Sequence, residues 1–475
     1  MTASIRWTAA QQQAIDAAGR DVRVSASAGT GKTAVLAHRC LARICDPNKP
    51  TDVDRLLVLT YTDAAAEEMR GRIAQTLREA HRSNPSGHLR RQGLLLDAAW
   101  ISTFHAFCKR LLTEHFYLLD LDPAFGIVDP DQQRLLRAES LLETLETAWA
   151  DPAMAAGMRV LFARRNVQPF AKGSFTGRIF EIYEFLESIP DADAFLERVR
   201  SLPAESLIEE QRAVILRTIR TCRQKADHTQ LLDAYFTGGQ WLGGKLEGYY
   251  DLIGAFEKAA SKGDLTKLAG VIEGLAFPRL PNRPKGMDKE RAEQIKAPIQ
   301  EVKKDLKGLA NLASVCPTDA LISSEAAAGQ VRTLAELAGR FKRTYAAAKE
   351  RISSLDFSDL EQYSLRLLSE HPEVSDKLRR WFEYIFVDEF QDINAVQKRI
   401  LDAVRREDNV FVVGDVKQSI YAFRRSRPEL FLEALAESAE DPSEAGRPQR
   451  IDLGENFRSR REVLEFANAV FERIM

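Results

Sequence analysis

The sequence predicts an α/β fold, a parallel β-sheet packed between helices and interrupted by a large all-helical insert. Three observations carry this. Short β-branched runs alternate with helical stretches over residues 1–119 and again over 356–450. Several of those runs are continuously apolar, as strands covered on both faces are. Between them, residues 120–355 show apolar residues at helical spacing and few strand runs.

In chain order, Val22–Ser25 reads as a strand that leads into a glycine loop and then a helix through Ala42. Leu56–Thr60 is a second apolar run, followed by a helix-like stretch over Ala64–Ala80. The segments Gln132–Ala150, Leu207–Arg223 and Ala326–Arg351 carry the helical period of the insert. Its middle holds a turn-rich basic stretch, Pro278–Lys285, then Lys289, Arg291, Lys296, Lys303, Lys304 and Lys307. That stretch reads either as a loop with a solvated helix face or as a DNA-facing surface. Tyr384–Val387 and Val410–Val413 return to buried-strand character, so the insert separates two halves of one sheet domain.

At 475 residues the chain exceeds one hydrophobic core, and two or three domains are expected. No run of 18 apolar residues supports a membrane span, and the N-terminus lacks a signal-peptide layout. The five cysteines are scattered without a C-x-x-C pair, which argues for a reducing cytoplasm and against a zinc ribbon or iron–sulfur cluster. With 67 basic and 69 acidic residues the net charge is -2, so charge alone neither announces nor excludes a nucleic-acid partner.

The strongest local signal is Ala26-Ser27-Ala28-Gly29-Thr30-Gly31-Lys32-Thr33, after a strand and opening a helix. Glycines there let backbone N–H groups close on phosphate oxygens. Lys32 is placed to reach the β- and γ-phosphates, and the Thr33 hydroxyl to ligate Mg²⁺. The alternative is a glycine-rich turn before an ordinary helix. Ala26 stands where the usual pattern has glycine. Asp388 and Glu389 end the apolar run Tyr384–Val387. Paired carboxylates at a buried strand end are costly unless they bind something. Asp388 then holds hydrated Mg²⁺ and Glu389 orients or deprotonates the attacking water, against the alternative of an exposed acidic turn. In the segment Gly414–Arg424, Gln418 is a neutral donor suited to sensing a γ-phosphate. Tyr421 and Phe423 offer flat faces for bases beside the charge of Arg424, or else pack in a core. Arg458 lies in a short polar turn and reads as a surface residue or as an arginine finger.

In order and spacing these segments resemble the superfamily 1 DNA helicases of the UvrD/RecB group, in its AddA/RecB-like branch. Trp7–Gln11 resembles the Q motif, which implies that Gln11 reads the adenine edge. Ala26–Thr33 is similar to motif I, where alanine is an accepted first residue. Leu59–Met69 resembles motif Ia and Ser102–Cys108 the next DNA-contacting motif. The resemblance thereby places Thr60, Tyr61, Thr62, Ser102, Thr103, Phe104 and His105 on the DNA side. Asp356–Leu360 resembles the segment preceding motif II, Val387–Asp392 motif II, Gly414–Arg424 motif III and Leu453–Ser459 motif IV. In motif IV, Phe457 would stack on the adenine and Arg458 reach the γ-phosphate.

The resemblance implies a RecA-like P-loop NTPase domain (1A) from residues 1–119 and 356–450, a helical insert domain (1B) over 120–355, and the start of a second RecA-like domain (2A) over 451–475. It implies ATP and Mg²⁺ as cofactors, 3′-to-5′ translocation, and single-stranded DNA or a duplex with a single-stranded tail as partner. A second helicase–nuclease subunit is a further implied partner, and a longer motor truncated here after motif IV. Two rival readings are an ATP- and DNA-binding module without independent unwinding, and a P-loop ATPase unrelated to DNA. The aromatic residues of motifs Ia and III argue against the second.

Overall fold

The computed structural model describes residues 6–162, 174–261, 271, 276–313, 317–419, 425–441, 443–444 and 446–474. The chain divides into two compact units. One comprises Met1–Thr147, Gln168–Ala194 and Leu337–Arg460, and the other Ala148–Val167, Phe195–Glu336 and Arg461–Met475. Among the described residues no helix is long and apolar enough to cross a membrane.

The first unit is built on strands β1 (Val22–Ala26), β2 (Leu56–Thr60), β3 (Trp100–Thr103), β6 (Tyr384–Val387), β7 (Val410–Gly414) and β8 (Gln449–Leu453), with β4 (Gly126–Ile127) and β5 (Ser354–Leu355) forming a separate short ladder. The main sheet has the order β3-β2-β6-β7-β1-β8, and every neighbouring pair is parallel. Strands β2, β6 and β7 read as continuous apolar runs because both faces are covered. Leu57 and Leu59 of β2 join the core with Ile385, Val387 and Val412, under helices Phe104–His115, Phe357–Glu370 and Ala395–Val404. Leu56 and Val58 point the other way, packing with Phe386, Phe411 and Val413 against helices Ala9–Asp16, Lys32–Ile44 and Asp63–Ser83. The α/β class and parallel sheet expected from the sequence are what the chain adopts.

The division into units differs from the expected one. Gln449–Leu453 pairs along its whole length with β1 instead of opening a second domain. It is the last strand of the sheet order, and its burial alternates along the run. Leu119, Phe125 and Leu355 belong to the sheet core, and β4 pairs β5 at Gly126↔Ser354 and Ile127↔Leu355. The ends of the expected 120–355 insert therefore fold with the sheet. The second unit is helical, with a core where Ile219, Cys222, Leu246, Ile253, Phe256, Ile299 and Leu306 of helices Ala204–Thr237, Gly243–Ser261 and Lys289–Ala313 meet.

Candidate functional site

Apart from Gln11, on the helix before β1, the site segments follow the carboxyl ends of parallel strands, the edge where open α/β sheets bind ligands. After β1, Gly29 and Gly31 adopt φ of 76° and 81°, the left-handed region that glycine enters without a Cβ penalty. Gly31 is the N-cap of helix Lys32–Ile44 and supplies no side-chain cap. The first N–H groups of that helix have no intrahelical acceptor and carry the positive end of the dipole. Loop and helix start therefore form the N–H cradle that a polyphosphate fits. Inside the loop, Thr30 Oγ1 donates to Ser27 O at 2.8 Å. Thr33 is half-buried in the first turn of that helix.

Gln11 is fixed beside the loop. Its Oε1 accepts from Thr8 N at 2.9 Å in a capping box that starts helix Ala9–Asp16, and its Nε2 donates to Thr30 O at 3.0 Å. One N–H and one lone pair of the amide stay available, which matches the donor–acceptor edge of an adenine. On the other side of the loop, Phe457 N donates to Gly29 O and Asn456 Nδ2 to Ala28 O, each at 2.8 Å. A Cβ on Gly29 would lie 2.7 Å from Asn456 Oδ1 and 2.9 Å from Arg458 Cβ. The turn after β8 thus rests directly on the phosphate loop. The Phe457 ring is 60% exposed, and Arg458 is exposed with its N–H on Asn456 Oδ1 at 2.9 Å.

The acidic pair ends β6, two strands from β1. Asp388 is buried, its N–H donates to Leu59 O, and its Oδ1 accepts from Glu389 N at 3.0 Å. Burial, reinforced by the Glu389 charge, pushes the Asp388 carboxyl up to about 6 against the pull of the Lys32 ammonium. A divalent cation would offset that desolvation. Among the described residues no group of three His, Cys, Asp or Glu side chains could hold a metal. One carboxylate and one hydroxyl suit Mg²⁺, which keeps waters and takes phosphate oxygens as further ligands. Glu389 sits at φ 51°, unusual outside glycine. Lys32 Nζ lies 3.3 Å from its Oε1 and 3.1 Å from its Oε2. Two segments 357 positions apart are thereby joined at the loop.

Gln391, Asp392 and Asp415 were not singled out from the sequence. Gln391 is 1% exposed and bonds to Glu389, Asp392 and the backbone of Asp415. Asp415 Oδ2 in turn accepts from Gln418 Nε2 at 2.7 Å, so Gln418 is tied to the end of β7. The only available signal was that polar residues fall inside apolar surroundings directly after strand ends.

The residues expected on the DNA side divide into two kinds. Thr62 and Thr103 are N-caps, accepting from Ala65 N and Ala106 N, and Thr60 is buried with its hydroxyl on Thr62 O. Ser102 and Tyr61 are partly exposed at the strand ends. Phe104 is corrected: at 6% exposure it is a core side chain, because the first turn of its helix points into the cluster around Leu57 and Trp100. His105 stays at the surface. Its Nε2 lies 3.0 Å from Glu361 Oε1, and its ring lies 5.0 Å from that of exposed Phe357. The buried Glu361 also accepts from Asn394 Nδ2 and Gln397 Nε2, joining the His105 segment to the helix that follows Asp388–Asp392. Tyr421, Phe423 and Arg424 lie outside the described residues.

Residues 7–438 match the UvrD/REP helicase N-terminal domain. The chain is similar to an ATP-dependent helicase/nuclease subunit from Geobacillus kaustophilus, with 38% identity over all of this chain and 40% of that protein. It is 37% identical to the like-named protein from Geobacillus thermodenitrificans, again over all of this chain and 40% of the relative. For the like-named protein from Pelotomaculum thermopropionicum the identity is 37% over 99% of this chain and 38% of the relative. The chain thus spans about two fifths of the length of these curated relatives. With its phosphate loop, paired strand-end carboxylates and parallel sheet, the chain belongs to the UvrD/REP helicase family through that family's N-terminal domain.

Proposed function

We propose that this chain is the ATP-binding part of a DNA translocase that binds Mg·ATP, hydrolyses it and holds single-stranded DNA while moving 3′ to 5′. The observation that carries the reading is the Lys32–Glu389 contact at 3.1 Å, which sets the phosphate loop against the second strand-end carboxylate. Gln11 would meet the adenine. The cradle of Gly29–Thr33 would take the phosphates, and Phe457 and Arg458 close over them from the adjoining turn. Thr33 and Asp388 would hold Mg²⁺, which when bound draws charge from the phosphate oxygens.

Binding a phosphate gives Lys32 a new anion, so its ammonium leaves Glu389. The freed carboxylate accepts a proton from water as the water oxygen bonds to the γ-phosphorus. The bond to the bridging oxygen breaks, and its electron pair leaves with ADP. Gln418 and Arg458 would face the γ-phosphate as donors. Thr60, Tyr61, Thr62, Ser102, Thr103 and His105, with Tyr421, Phe423 and Arg424, would hold the strand, Thr60 and Thr103 through the backbone they position.

The relatives' name, helicase/nuclease subunit, supports a nucleic-acid substrate and assembly with another subunit, and we take the substrate to be DNA, single-stranded or a duplex with a single-stranded tail. We place the protein in the cytoplasm. Calorimetry tests the nucleotide site: Lys32→Ala should weaken Mg·ATP binding at least ~tenfold, since a charge-assisted contact is lost. Equal affinity for the two proteins would overturn the loop assignment. Equal affinity for single strand and blunt duplex would overturn the DNA reading.

A further inference from the structure

We infer that Gln391 is a positioning residue that selects which Glu389 oxygen receives the proton and ties that carboxylate to the chain leaving β7. The inference rests on the hydrolytic role proposed for Glu389.

Gln391 follows the acidic pair in the one-turn helix Phe390–Asp392 and is almost fully buried. Its amide is fully committed as a donor. Nε2 donates to Glu389 Oε2 at 2.9 Å and to Asp392 Oδ2 at 3.1 Å. Its Oε1 accepts from Asp415 N at 2.8 Å, at the residue after β7. These three bonds fix the flip of the amide, because a reversed amide would set oxygen against two carboxylates and N–H against N–H.

The consequence for Glu389 is an asymmetry between its oxygens. Oε2 accepts from both Lys32 and Gln391, whereas Oε1 faces Lys32 alone at 3.3 Å. When Lys32 turns to a phosphate, Gln391 keeps its hold on Oε2, and Oε1 is the oxygen released to meet water. Residue 389 needs such a hold, since its left-handed backbone gives the side chain an unusual exit direction.

The site is also built to admit this amide. A Cβ on Gly414 would lie 2.5 Å from Gln391 Oε1 and 3.0 Å from Phe431 Cε1. Glycine at the end of β7 is therefore what lets the amide reach Asp415 N. Beyond it, the Asp415 carboxylate accepts from Gln418 Nε2. A displacement of the segment after β7 would pull on the same amide that orients Glu389.

The test uses the 475-residue chain with single-stranded DNA present, reading calorimetric ATP affinity and single-turnover release of a labelled γ-phosphate. Gln391→Met keeps the side-chain volume and removes the bonds, and Gly414→Ala displaces the amide without removing it. Each should bind ATP within about twofold of wild type and hydrolyse it at least ~tenfold more slowly, a loss confined to the rate. In a Glu389→Gln background neither substitution should change the residual rate further, because Gln391 acts through Glu389. Should Gln391→Met fail to fold, Gly414→Ala decides. Hydrolysis at the wild-type rate in the folded variants overturns the inference alone. So does a parallel fall of affinity and rate, or an undiminished loss in the Glu389→Gln background. A wild-type chain that neither binds nor hydrolyses ATP overturns the proposed function, and the inference with it.

Discussion

The sheet unit holds two buried acidic clusters, and they are balanced in different ways. In one, Lys349 is buried against Asp356 and Asp359. The two aspartates also cap each other's backbone at the start of helix Phe357–Glu370, at 3.0 Å and 2.8 Å. Burial is the largest influence on both carboxyls here: Lys349 and the capping N–H hold Asp356 below its ordinary range, while burial, reinforced by the Asp356 charge, pushes Asp359 up to about 6. In the other cluster, burial is the largest influence on both Asp388 and Asp392, and each is pushed up to about 6. Lys32 is the nearby cation there, and it sits on Glu389 instead. A cluster closed by its own cation and caps is architecture. A cluster left short of positive charge, beside a loop of N–H groups, is one that a ligand completes.

The difference can be attacked from the functional side first, where the largest effect is expected. Glu389→Gln keeps the shape of the site and the contact with Gln391 but removes the base. ATP binding should persist while hydrolysis falls by ~10²–10⁴-fold, the usual contribution of a general base. Undiminished turnover in single-turnover assays would remove Glu389 from the chemistry, and with it the contrast between the clusters.

The second attack is on stability. Lys349→Met strands two buried carboxylates and should lower unfolding free energy by ~3–5 kcal/mol, read from urea titration. Lys32→Ala should cost less than about 1 kcal/mol, because Glu389 is about one-third exposed and rehydrates. Similar losses from both substitutions would show that the two clusters are equivalent.

These contrasts mark what the sequence could carry. Strands β2, β6 and β7 were legible because burial on both faces writes a continuous apolar run, as in Leu56–Thr60, and β1, which alternates, because it leads straight into the glycine loop. The edge strand Gln449–Leu453 was not, since an alternating half-buried run resembles an exposed segment. The phosphate loop was legible because glycine spacing, lysine and threonine are all local to one turn. The roles of Gln391 and Glu361 were not legible, for the opposite reason. Their partners, Asp415 for one and His105 and Asn394 for the other, come from distant positions, and a lone buried Gln or Glu has no pattern. Phe104 shows the converse error: a residue inside a motif expected to face DNA can still be one whose helix turn points into the core.

The remaining expected effect is the most particular to the comparison, because its sign is opposite at Asp388 and Asp356. Asp388 in the folded chain has its carboxyl raised from 3.8 to about 6. Below 3.8 the group is protonated whether the chain is folded or not, and it contributes nothing to stability. As pH rises from there to about 6, the unfolded chain ionises while the folded chain keeps its proton, so stability falls. Above about 6 both forms are ionised, and the cost of the buried charge is fully present. Asp388→Asn removes that cost, and at neutral pH it should stabilise the fold by on the order of 1–3 kcal/mol while disturbing Mg²⁺ dependence. Asp356 is shifted the other way, so its ionised form is the one that folding favours. Asp356→Asn should therefore destabilise at neutral pH, and the loss should fade in acid. Urea titrations of the three proteins across pH 3 to 8 give the check: the advantage of Asp388→Asn over wild type should open between 3.8 and about 6 and then stay level. An Asp388→Asn protein less stable than wild type at neutral pH would mean that the strand-end carboxylate is already compensated within the fold, and that no cation is needed to complete it.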